Sequence, residues 1–318
     1  MAQRSELGGR LQAALGDSYE VRDTLATGGM ATVFLARDAR ADRLVALKVL
    51  HPELARNVGA QRFRHEIAVG MRLAHPNILP VLDHGEAEGD LLWYAMPYVP
   101  GETLRSRLAR ESRLPLADAL RITRDVASAL EYAHGAGYMH RDVKPDNILI
   151  REKADTLLAD FGIARPMPLA DGSKRLPASD VERPTTTTGL VIGSPQYMSP
   201  EQVGGDPSLD ARTDQYSLGT VLYEMLVGET PFGGRTAGAV VSKMFASRAP
   251  SVRSARPEVP EFVDQAITRA LSRSRNDRFA SISEFASSLQ IATSGARAGV
   301  GGALAKLAGR LRDWRGRE

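Results

Sequence analysis

The sequence predicts an α+β protein in two lobes, a small β-rich first lobe with one main helix and a larger helical second lobe. Three observations lead there. Five short segments of strand character crowd the residues up to about Tyr98, a single helical pattern interrupts them, and helical stripes dominate after Gly101. Strands first and helices after argue against an alternating parallel sheet.

The strand segments are Glu20–Leu25, Thr32–Arg37, Leu44–Leu50, Leu79–His84 and Leu91–Tyr98, with Gly28-Gly29 between the first two. The interrupting helix covers about Gln61–Leu73, where Phe63, Ile67, Met71 and Ala74 recur at three to four residues. Farther on, Ala119, Leu120, Val126, Ala127, Leu130 and Ala133 form one helical stripe ended by Gly135 and Gly137. Leu218, Val221, Leu222, Met225 and Leu226 form another, ended by Gly228. Phe262, Val263, Ala266, Ile267 and Leu271 make a third, and Ser281 with Glu284 has capping-box spacing for a fourth. The composition of residues 163–192, with Pro166, Pro168, Gly172, Pro177 and Pro184 plus the run Thr185–Thr188, predicts a long loop. Thr293–Gly302 reads as a linker. The expected domains are an N-terminal extension (1–18), a main domain (19–292; first lobe 19–97, connection 97–100, second lobe 101–292) and a linker with a basic amphipathic tail (293–318).

Composition narrows the chemistry. With 318 residues and 43% apolar content, the chain can bury a substantial core. It has no cysteine, which removes disulfides, thiolate nucleophiles and zinc ribbons, so any metal would be held by oxygen or imidazole. The net charge is +3, yet the residues from Ser294 onward carry +4, and the rest sums to −1. A nearly neutral body has no field to gather a polyanion, so no nucleic-acid partner is expected. No membrane span and no signal peptide are evident, which predicts a cytoplasmic protein. Leu304, Leu307, Leu311 and Trp314 give the tail an apolar stripe among basic residues; docking on its own domain is the ordinary reading, and peripheral membrane contact the alternative. The stripe Leu7, Leu11, Leu15 carries little information by itself.

Several motifs carry chemistry. Val45-Ala46-Leu47-Lys48 places a lysine in an apolar strand, where an unpaired ammonium is expensive to bury, and Glu66 on the predicted helix offers a partner. His140-Arg141-Asp142-Val143-Lys144-Pro145-Asp146-Asn147 concentrates charged groups and an amide in a loop after a glycine-ended helix. Asp160-Phe161-Gly162 follows the apolar pair Leu157-Leu158. In this order and spacing the set resembles the eukaryotic-like (Hanks-type) Ser/Thr protein kinases of bacteria, over about Tyr19 to Ile291.

That resemblance implies a bilobal protein-kinase fold that transfers the γ-phosphate of ATP to protein hydroxyls. By it, Lys48 holds the α/β-phosphates, oriented by Glu66. Asp160 and Asn147 hold magnesium, with manganese as an alternative, and Asp142 accepts the substrate hydroxyl proton. Lys144 marks the Ser/Thr branch, which makes tyrosine the less expected acceptor. The nucleotide would lie against the loop Ala26, Thr27, Gly28, Gly29 and Met30, between Val33 and Ala46 above and Leu149 below. Met96 stands at the back of the adenine pocket, with Pro97 and Val99 in the connection; Pro97 lacks an N–H, but the family asks that position only for its carbonyl. Glu201 of Ser199-Pro200-Glu201 would pair with Arg278, and Asp214 would brace the catalytic loop. Arg141 before Asp142 implies activation by autophosphorylation, with Thr186 and Thr188 as the expected sites. Protein substrates are the implied partners, and a homodimer is allowed.

Two features depart from the family pattern. Alanine stands at 26 and 31, where glycine is usual, and the segment 160–201 is long. A pseudokinase scaffold is one competing reading, but Lys48, Asp142 and Asp160 are all present. A small-molecule phosphotransferase is another, though it would lack the Lys144 pattern. A Rossmann domain fails because the glycine pair leads into a strand.

Overall fold

The computed structural model describes residues 2–54, 58–87, 91–151, 155–161, 165–166 and 195–290. Its first lobe is an antiparallel sheet with a helix on each side. Helix α1 (Ala2–Leu15) leads into β1 (Tyr19–Thr27), β2 (Ala31–Asp38) and β3 (Arg43–Leu50); helix α2 (Val58–Gly70) follows, then β4 (Asp83–Ala87) and β5 (Leu91–Pro97). The strand order is β1-β2-β3-β5-β4. Strand alternation divides the apolar side chains between two clusters. Phe34, Val45, Leu47, Val49, Leu91 and Trp93 meet Leu7, Leu11 and Leu15 of α1 on one face, while Leu50, Leu92 and Tyr94 meet Phe63 and Ile67 of α2 on the other.

Helix α1 gives the stripe Leu7, Leu11, Leu15 a function that the sequence reading did not assign. All three are buried, Leu11 completely. Gly8 permits the approach, since a Cβ there would stand 3.3 Å from Phe34 Cε1. Gln12 fastens the helix end to the sheet, its amide donating to the Tyr19 carbonyl and accepting from the Val21 N–H.

Two elements lie elsewhere than the sequence predicts. The strand expected at Leu79–His84 starts at Asp83: Pro80 has no N–H for a ladder, Leu79 donates to the Leu158 carbonyl in the second lobe, and its side chain packs on Leu157 and Ala159. The helix expected at Gln61–Leu73 runs instead over Val58–Gly70, and Met71 is exposed in the turn that follows.

The second lobe starts with β6 (Gly101–Thr103), α3 (Leu104–Glu111) and α4 (Leu116–Gly135), followed by β7 (Tyr138–Met139), a 3-10 turn (Pro145–Asn147), β8 (Ile148–Arg151), β9 (Thr156–Leu158) and β10 (Arg165–Pro166). Strands β6, β8 and β9 form a small sheet, and β10 pairs with β7. Then come α5 (Pro200–Val203), α6 (Arg212–Val227), α7 (Ala237–Ala246), α8 (Val252–Ala255), α9 (Glu261–Ala270) and α10 (Ile282–Ser288). Helix α6 is the axis of this lobe, because every residue from Thr213 to Leu226 is buried. A helix apolar and small-polar all round belongs inside a core. Ser281 caps α10 through the Glu284 N–H, as its spacing predicts, while the Glu284 carboxylate reaches the Ala280 N–H. A complete capping box occurs at Ser199 and Gln202 on α5.

Candidate active site

The charged motifs, distant in sequence, meet between the lobes. Lys48 on β3 is the hub: its Nζ lies 2.8 Å from Glu66 Oε1 on α2 and 2.6 Å from Asp160 Oδ1 after β9. Burial alone would lower the lysine, but the charge of Asp160, with Tyr94 and Glu66, holds it well above its ordinary value. Burial pushes Glu66 up, against the opposing pull of Lys48. Burial opposes ionisation of Asp160 too, but there the lysine prevails and the carboxylate stays below its usual range.

Tyr94 on β5 is a member of this cluster that the sequence reading missed. Its hydroxyl donates to Glu66 Oε1, and burial together with the Glu66 charge keeps that phenol protonated by pushing it far up. The available signal was register, because Lys48 and Tyr94 stand directly opposite each other in the β3–β5 ladder.

The catalytic-loop candidates form a second group. Asp142 Oδ2 accepts from Lys144 Nζ at 2.7 Å and from Asn147 Nδ2 at 3.1 Å, which leaves Oδ1 as its open acceptor. The Asn147 nitrogen also donates to the Asp142 carbonyl. With its nitrogen so committed, the amide offers only its oxygen to a ligand.

Asp214 explains why this loop keeps its shape. Fully buried at the start of α6, it accepts from His134 Nε2 at 2.8 Å and from the backbone N–H groups of His140 and Arg141 at 2.9 and 2.7 Å. Burial opposes its ionisation, but the His134 bond and charge, with the Arg141 N–H, hold it below the ordinary carboxylate range. Arg141 has φ 66° and Asp160 φ 62°, left-handed conformations that non-glycine residues adopt at a cost. The Asp214 grip supports the first of them. His140 ties the two loops together: its Nδ1 accepts from the Asp142 N–H, so its Nε2 carries the proton and donates to the Ala159 carbonyl at 3.0 Å.

The residues expected around the nucleotide fall into neighbouring positions on these strands. Met96 and Ala46 are cross-strand partners, as are Val33 and Lys48, and Met96, Val99 and Leu149 pack around Leu79, Leu157 and Ala159. Pro97 ends β5. The residues Ala26, Thr27, Gly28, Gly29 and Met30 form an exposed hairpin tip, closed by Gly28 N–H to the Ala31 carbonyl. Away from the cleft, Arg278 pairs with Glu201 through two bonds of 2.6 and 2.7 Å. Gly162, the threonines Thr186 and Thr188, and the tail 293–318 lie outside the described residues.

Comparison with known proteins agrees with this geometry. Residues 19–288 match the protein kinase domain model, and the chain belongs to that family. It is 41% identical over 280 residues to the serine/threonine-protein kinase PknB of Mycobacterium leprae, an alignment covering 86% of this chain and 43% of PknB. It is 39% identical to the serine/threonine-protein kinase pkn3 of Myxococcus xanthus, covering 86% and 49%. The chain thus spans under half the length of these curated relatives. Among solved structures, the kinase domain of Mycobacterium tuberculosis PknI superposes with a TM-score of 0.65 at 32% identity, covering 86% of this chain and 95% of that one. No helix among the described residues is long and apolar enough to cross a membrane.

Proposed function

We propose that this protein is a Ser/Thr protein kinase that transfers the γ-phosphoryl group of ATP to hydroxyls of protein substrates. The observation that carries the reading is the convergence of three stretches of chain: Lys48 contacts Asp160, Asn147 bonds Asp142, and the Ala159 N–H, beside Asp160, donates to the Asn147 carbonyl. On this reading residues 19–292 are the catalytic domain, 1–18 an extension that braces its sheet, and 293–318 a linker and tail.

Phosphoryl transfer requires positioning and charge neutralisation more than covalent participation. Lys48 would supply a fixed positive charge to the nucleotide phosphates while Glu66 holds its direction. Asp142 would take the acceptor proton at Oδ1, its other oxygen being fixed by Lys144 and Asn147. The donor set suits magnesium: a carboxylate at Asp160 and an amide oxygen at Asn147 are hard ligands, and that cation is ordinarily held by one or two protein groups completed by substrate phosphates. When bound it would neutralise charge on the transferring group.

The glycine loop supports nucleotide binding by what the chain itself does not demand. A Cβ on Gly28 would have nothing nearer than the Ala31 carbonyl at 3.7 Å, one on Gly29 would meet nothing within 4 Å, and neither residue has a positive φ. The fold would accept alanine at both, so glycine here serves a close approach from outside. Arg141 beside Asp142 supports activation by a phosphothreonine from the segment holding Thr186 and Thr188.

The test is transfer of labelled phosphate from ATP, with magnesium, to casein and myelin basic protein, followed by phosphoamino-acid analysis. Label on serine and threonine is expected. Label on tyrosine alone, or release of phosphate without protein labelling, would contradict the proposal.

A further inference from the structure

Glu66 Oε1 accepts two hydrogen bonds, one from Lys48 Nζ at 2.8 Å and one from Tyr94 Oη at 2.5 Å. The same hydroxyl lies 3.5 Å from Asp160 Oδ1. Below it, the Tyr94 ring packs against Phe63 of α2 with centroids 5.3 Å apart, and Lys48 Nζ stands 5.6 Å from the ring centroid. One side chain therefore touches α2 twice and borders both carboxylates that hold the lysine.

The two ties on Glu66 differ in stiffness. Lysine reaches it through a long flexible stem and divides its ammonium between Glu66 and Asp160. Tyrosine reaches it through a rigid ring on β5, a strand paired on both edges, with β3 and β4. A hydroxyl buried only for packing would be costly where phenylalanine fills the same space, so its bond to Glu66 is what justifies the oxygen.

We propose that Tyr94 is a positioning residue that docks α2 on the sheet through Glu66 independently of Lys48, and so keeps Glu66 and Lys48 in their working geometry. The catalytic half of this inference rests on the kinase reading; the docking half does not.

Tyr94→Phe removes the oxygen and keeps the ring, while Tyr94→Leu removes both. Amide hydrogen exchange of the ligand-free proteins is compared with initial rates at varied ATP. Tyr94→Phe is expected to speed exchange in α2 about fivefold or more, with α6 unchanged, and to lower kcat about tenfold, the size of one lost hydrogen bond to a charged group. KM for ATP should move less than about twofold, because Val33, Ala46 and Leu149 still wall the pocket. Tyr94→Leu should be at least as impaired as Tyr94→Phe. A Tyr94→Phe protein within twofold of wild type in either α2 exchange or kcat overturns the proposal, leaving Tyr94 a packing residue. Should wild type itself transfer no phosphate, the kinase reading fails, and α2 exchange still decides the docking role.

Discussion

Lys48 and Arg278 are both cations removed from water and held by carboxylates, yet their surroundings differ in charge balance. Arg278 faces one carboxylate, Glu201, and spends its remaining N–H groups on the carbonyls of Ser272, Arg212 and Arg273. The pair is sealed, with side chains 0% and 9% exposed. Lys48 faces two carboxylates, and one of them, Asp160, keeps 39% of its side chain open. A balanced and fully bonded pair needs nothing further, whereas a surplus of negative charge facing a cleft calls for a cation from outside. Charge balance, more than burial, separates the structural pair from the site poised for chemistry.

Breaking the sealed pair should give the largest effect. Arg278→Met strands Glu201 without its partner and should lower unfolding free energy by about 3–5 kcal/mol, read by urea denaturation. A loss below about 1 kcal/mol would mean the pair is dispensable to the fold.

Asp160→Asn turns the open cluster into a balanced pair of the sealed kind, one lysine with one glutamate. Phosphotransfer is expected to fall at least about 100-fold. Thermal stability should hold or rise, as is common when a functional charge is removed. Retention of more than a tenth of the activity would show that the surplus charge serves no chemistry.

Asp214 sharpens the comparison through pH. Its folded pKa is depressed, so the stability it contributes is present above the unfolded value of about 3.9 and is lost as pH falls through the lower folded value. Asp214→Asn should therefore be less stable than wild type at pH 7, and the gap should close below about pH 4. Denaturation midpoints from pH 2 to 7 would show it, and a gap independent of pH would remove Asp214 from the account.

The smallest effect is expected at the loop tip. Gly28→Ala should leave the melting temperature within about 1 °C and raise KM for ATP a few-fold, since the methyl meets the ligand and not the protein. An unchanged KM would show that the loop does not approach the nucleotide closely.

How much of this was legible beforehand depended on distance along the chain. The loop from His140 to Asn147 was readable because its donors and acceptors lie within eight residues, and Glu66 was readable as the partner of a lysine in an apolar strand. The Lys48–Asp160 contact joins residues 112 apart, and only the resemblance linked them. Tyr94 escaped notice because in sequence it is one aromatic in an apolar strand; its meaning comes from standing across the ladder from Lys48. The stripe of α1 was visible, but its partners Phe34 and Trp93 lie on β2 and β5, which only the folded sheet brings to one face. Leu79 read as the start of a strand because it is apolar, though its apolar contacts are with Leu157 and Ala159 in the second lobe.

Phosphotransfer by the open cluster would leave its own record on the chain, read by a mass-spectrometric map of phosphate on the purified protein after incubation with ATP and magnesium, beside Asp142→Asn. Phosphothreonine is expected in Thr185–Thr188 of wild type, with at least about 100-fold less in Asp142→Asn. Equal phosphate in both, or none in a wild type that still binds ATP, would contradict it.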